Sequence, residues 1–215
     1  MKRINIILIS SALVSICVVG VVAILTKMSF KQKLIKIANK EIEKWKGLTE
    51  LSQRASQTLI SYWKSVGRVF SPRDMQSKEV HSKYPWSSAF ISWLFFKAGA
   101  KKRFPYSAAH SGYFQVAKKN RDNPKAALRG FRITEYAPKV GDLVVYSRQQ
   151  GKGYDSVGHF PSHGEVVIEV GKGFIKTVGG NVSNMVKASV YKTNAKGFLS
   201  GNSTAFFMVI QNNIK

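Results

Sequence analysis

The chain has 215 residues, enough for one domain with a real core plus an appendage. Its 44% apolar and 12% aromatic content excludes a disordered polyelectrolyte, although 34 Lys and Arg against 11 Asp and Glu leave a formal charge of +23. A single cysteine, Cys17, excludes an internal disulfide and a thiolate zinc cluster, and neither a metal nor a cofactor is expected. The cations run from Lys27 to Lys215 without one dominant block. They imply attraction to polyanions such as an anionic cell envelope, and no nucleic-acid motif of recognisable spacing accompanies them, so no specific nucleic-acid partner is expected.

Met1-Lys2-Arg3 precedes an uncharged, mostly apolar run over residues 4–25. A bilayer needs about 20 such residues, so residues 1–26 are expected to be a transmembrane signal anchor, with the membrane as a partner through 4–25. Val22-Ala23-Ile24-Leu25-Thr26 lacks a small-x-small exit, which argues against cleavage. Orientation is divided. Lys27, Lys31, Lys33 and Lys36 after the run favour a cytoplasmic body, whereas the short basic start looks like an export signal.

The remainder, residues 27–215, reads as one α+β domain, helical over 30–120 and an antiparallel sheet over 139–212. Leu34, Ile37, Ala38, Ile42 and Trp45 place an apolar stripe on a helix from Phe30 to about Gly47. A second helix is predicted from about Leu51 to Val66, and Ser71 to Asp74 form a loop. Tyr84-Pro85-Trp86-Ser87-Ser88-Ala89-Phe90 predicts an extended approach and then a helix to about Ala98, stopped by Gly99 and apolar nearly all round, hence central. Ser107 can cap a further helix to about Lys119. Beyond Pro138 the period shortens. Strands are predicted over Val140–Tyr146, Glu165–Val170, Phe174–Val178, Lys187–Tyr191 and Ala205–Gln211, the second and third forming a hairpin.

The start of the Trp86 helix can carry chemistry. Backbone N–H groups and the helix dipole there favour developing negative charge, and with no cysteine available a nucleophile must be serine. Ser87 and Ser88 compete for that role, the other acting as a cap. Serine needs a base. Of the four histidines, His81 reads as a solvated loop residue, His159 as an exposed one, and His110 as a structural histidine or a support for the cleft. His163, opening a strand that faces the helix start, is the favoured base. Asn181 ends the partner strand beside it, and Glu165, two residues on, points to the same strand face; either can orient the imidazole.

Pro85-Trp86-Ser87-Ser88-Ala89-Phe90, Gly141-Asp142-Leu143-Val144, the His163 strand and Gly179-Gly180-Asn181 resemble the NlpC/P60 and CHAP papain-like cell-wall hydrolases. Phe104-Pro105-Tyr106-Ser107-Ala108-Ala109-His110-Ser111, Tyr136-Ala137-Pro138 and Phe160-Pro161-Ser162-His163 bring the chain nearer to the DUF2272 family. The resemblance implies a papain-like fold and cleavage of an amide bond in peptidoglycan. It implies Ser87 as nucleophile, His163 as base and Asn181 as orienter. On the reading of the residues themselves, Trp86, Ser88, His110 and Glu165 are possible supports. A murein substrate in turn implies an inner-membrane anchor with the domain on the periplasmic or extracytoplasmic side.

A helix N-terminus lowers a thiol's pKa into the useful range but cannot do so for an alcohol, so the serine needs its base in contact. Two other functions therefore stand beside the hydrolase: a catalytically inactive murein-binding module of the same fold, and an anchored basic protein that binds nucleic acid or anionic lipid.

Overall fold

In the computed structural model, which describes residues 28–202 and 204–215, the helices come first. They are α1 (Phe30–Lys44), α2 (Ser56–Lys64), the short α3 (Lys78–Lys83), α4 (Ser87–Ala98) and α5 (His110–Lys119). The strands follow as β1 (Leu128–Phe131), β2 (Leu143–Ser147), β3 (Ser162–Gly171), β4 (Phe174–Val182), β5 (Met185–Lys192) and β6 (Phe206–Asn212). They form one six-stranded sheet in the order β1-β6-β2-β3-β4-β5, each neighbouring pair antiparallel.

The expected fold class needs correction. The chain is α+β with helices before an antiparallel sheet, but among the described residues no helix is long and apolar enough to cross a membrane. The segment 4–25, on which that expectation rested, lies outside the described residues.

Local chemistry explains the elements. Ser29 and Gln32 make a reciprocal capping box that starts α1, which then buries Phe30, Leu34 and Ala38. Helix α4 is buried on almost every side and stops where Gly99 takes a left-handed conformation. It lies between α1 and α2 on one side and β3 and β4 on the other. Gly180 of β4 lets the sheet approach α4 closely, since a Cβ there would sit 2.5 Å from Phe90 Cβ. Val166 and Val178 face this helical layer, whereas Val167 and Ile175 face a second cluster on the far side of the sheet, with Leu199, Phe206 and Val209.

Two elements escape the sequence pattern, α3 and β1, both too short to show a period. Helix α5 begins at His110, not at Ser107, and Ser107 Oγ accepts instead from the Ala109 N–H.

Asp142 ties the layers together. Fully buried, it accepts from the Lys31 ammonium of α1 (3.1 Å), the Tyr136 hydroxyl (3.0 Å) and the backbone N–H groups of Lys139 and Asn212 (each 3.0 Å). Removing it strands the buried Asn212 N–H and three part-buried donors at once. Asp142→Ala is therefore expected to cost about 3 kcal/mol, read as a lower urea midpoint at unchanged m-value. A loss under about 1 kcal/mol would contradict this role.

Candidate active site

Tyr84 and Pro85 deliver the chain to α4, and Trp86 fixes where that helix starts. The Trp86 indole stacks on Trp45 (centroids 5.1 Å apart) and donates to Glu50 Oε2 (2.8 Å). As the N-cap residue, Trp86 offers no capping side chain, so the first-turn N–H groups of α4 have no side-chain cap. Ser87 and Ser88 stand in that turn with different partners. Ser88 Oγ donates to the Ser107 carbonyl (2.8 Å), as does Ser92 Oγ (3.1 Å), and together they pin the segment that leads into α5.

Ser87 Oγ meets His110 Nε2 at 2.7 Å. The other ring nitrogen, Nδ1, makes a short contact with the Tyr113 hydroxyl one helical turn along. If the serine hydroxyl donates to Nε2, the Nδ1–H donates to Tyr113, which fixes both tautomer and ring orientation. Burial, then the charges of His163 and Arg148, hold the His110 imidazole well below the usual histidine range. It is thus neutral near pH 7 and can accept a proton. Burial and the charge of Glu165 push the Tyr113 phenol up, so Tyr113 stays protonated and orients without supplying charge.

His163 belongs to a second chain of contacts. Along β3, side chains alternate between faces. Gly164 and Val166 take the helix side, while His163, Glu165 and Val167 share the other. With no side chain, Gly164 leaves room that Tyr113 Oη and His110 Nδ1 occupy, the latter 3.1 Å from where a Cβ would be. The two imidazoles come to 5.3 Å between centroids. Arg148 donates to His163 Nδ1 (3.1 Å), while the buried Nε2 lies 3.5 Å from Glu165 Oε1 and makes no hydrogen bond among the described residues. Glu165, fully buried, also accepts from the Thr177 hydroxyl and from the Tyr191 hydroxyl (3.3 Å).

The structure thus brings Ser87 and His110 into contact, sets His163 with Glu165 behind them, and makes no Ser87–His163 hydrogen bond. Asn181 is not drawn in. It sits half-buried at φ +58° where β4 turns toward β5, and β3 and β4 are paired only as far as Val166 opposite Val178. Gly179 lies beside the imidazole instead, its Cβ position 3.0 Å from His163 Nε2. His81 is buried in α3, its ring on the Met75 carbonyl (3.2 Å), rather than solvated. His159 is exposed and touches Ser111 Oγ. Tyr113 and Arg148 were not foreseen. Tyr113 could have been found three residues after His110 on one helix face, whereas no motif marks Arg148. Among the described residues, no group of three metal-binding side chains forms.

The family model described as an uncharacterized protein conserved in bacteria, DUF2272, matches residues 39–207. No curated protein and no solved structure matches the chain.

The buried neutral imidazole makes stability pH-dependent. Below about pH 6.5 an exposed His110 in the unfolded chain binds a proton that the folded chain refuses, so ν_U exceeds ν_N and stability rises with pH. Its contribution is complete above about 6.5 and is lost as the pH falls below that value, at up to about 1.4 kcal/mol per pH unit. In urea titrations at several pH values, His110→Gln should remove about one proton from this slope. An unchanged slope would show that His110 is not held neutral.

Proposed function

We propose that this chain, which belongs to the DUF2272 family, hydrolyses amide bonds in peptidoglycan through Ser87, with His110 as the imidazole that takes the hydroxyl proton. The observation that carries the proposal is the 2.7 Å contact between Ser87 Oγ and His110 Nε2 at a helix start without a side-chain cap. The choice of peptidoglycan rests on the resemblance to cell-wall hydrolases and on the charge of +23, which suits an anionic envelope.

In this mechanism Ser87 Oγ attacks the amide carbon as its proton passes to His110 Nε2. First-turn N–H groups of α4 stabilise the oxyanion. His110 then gives the proton to the departing nitrogen, the C–N bond breaks, and an acyl-serine remains. Water attacks that ester with His110 again taking and returning a proton. The imidazolium formed in each half needs a counter-charge that neutral Tyr113 cannot supply. The charges that act on His110, those of His163 and Arg148, are of the wrong sign for this, and Glu165 reaches His110 only by way of His163.

Digestion of purified murein by the full chain tests this. New muropeptide ends should appear, and Ser87→Ala and His110→Ala should each lose about a thousandfold or more in rate. His163→Ala should lose less than His110→Ala, because His163 does not touch the serine. Murein binding without new ends would leave a non-catalytic binding module as the function. A His163→Ala loss equal to that of Ser87→Ala, with His110→Ala active, would return the base role to His163.

A further inference from the structure

We infer that Arg148 is an anion-recognition residue at the mouth of the site, which binds a free carboxylate on the substrate beside the bond presented to Ser87. The inference rests on the proposed role of Ser87 for the placing of that bond, but not for carboxylate binding itself.

Arg148 immediately follows β2, and its backbone N–H continues the ladder to the Pro161 carbonyl (2.9 Å), which fixes the root of the side chain. The residue is exposed, whereas the His163 it touches is fully buried. One guanidinium nitrogen is used on His163 Nδ1 at 3.1 Å. A guanidinium has five N–H donors in a planar fork; the imidazole lone pair and the neighbouring Tyr146 hydroxyl occupy only part of them. Among the described residues, no carboxylate lies within 4.0 Å of Arg148, in contrast to Arg121 and Arg132; what sets Arg148 apart from the other unpaired arginines is its contact with the buried His163. Arg121 bonds Glu135, and Arg132 holds Asp155 with two nitrogens. The one carboxylate behind His163, that of Glu165, is already taken by Thr177 and Tyr191.

An arginine anchored to a buried site histidine, with donors left over, is suited to a carboxylate or a similar planar anion. Arg148 also connects to the reacting pair. Its contact His163 lies against His110, which holds Ser87. Its charge helps keep His110 unprotonated. A bound carboxylate would offset that charge and make His110 a better proton acceptor, so an acidic substrate would improve its own base. The recognised class is therefore a peptide with a free carboxylate next to the scissile amide, in preference to one whose carboxylate is amidated.

The test compares N-acetylalanine, in both enantiomers, with neutral N-acetylalaninamide. Each is titrated into the full chain while the histidine ring resonances are followed by NMR. At least one carboxylate enantiomer should bind about tenfold or more tighter than its amide and should move the His163 and His110 signals. Arg148→Gln should erase that preference, and Arg148→Lys should keep part of it. Equal affinity for acid and amide, binding of neither, or a preference that survives Arg148→Gln would overturn the inference. Selective carboxylate binding by a chain that releases no muropeptide ends would leave the Arg148 subsite standing and remove the hydrolase.

Discussion

Helix α4 must be buried on almost every side, and most of the molecule follows from that constraint. Because its surface is apolar nearly all round, α1 and α2 cover one side and β3 and β4 the other. The close approach of the sheet is bought with Gly180, where any side chain would strike Phe90. Burying a helix completely also buries its first turn, whose hydroxyls then need partners. Ser88 finds the Ser107 carbonyl, and Ser87 finds His110. The serine–imidazole contact is thus partly a consequence of packing.

The charges around this contact are arranged unusually. A serine–imidazole pair ordinarily has an acidic third member that stabilises the imidazolium. Here the third position holds Tyr113, kept protonated by burial and by the field of Glu165. The acidic group stands one step back, across the sheet, with His163 between it and His110. Arg148 closes the set from the solvent side. Resting, burial and then the fields of His163 and Arg148 keep His110 neutral; any catalysis must offset the charge that proton transfer creates, for example with an incoming anion.

Much of the fold was legible because it depends on local pattern. The α4 start could be read from Pro85 and the apolar run, and the change of period after Pro138 announced the sheet. The order of strands in that sheet could not be read, and β1 was too short to see. The site was harder for a different reason. His163 and Gly164 differ by one residue, and strand alternation sends them to opposite faces, so a small uncertainty in strand phase decides which one meets the helices. Asn181 failed to join His163 because β3 and β4 part after Val166 and Val178, which no hairpin rule foresees. His110 was visible as a candidate, but its contact with Ser87 depends on where α5 docks. Arg148 reaches the site only through the β2–β3 pairing, in which Tyr146 stands opposite His163.

Activation of Ser87 by His110 can be tested without knowing the substrate. A small fluorophosphonate forms a P–O bond to an activated serine with loss of fluoride, and intact-mass and peptide analysis locate the adduct. One adduct on Ser87, absent after His110→Gln and retained after His163→Gln, is the result expected. No adduct, or a Ser87 adduct that forms equally well without His110, would show that His110 does not activate Ser87.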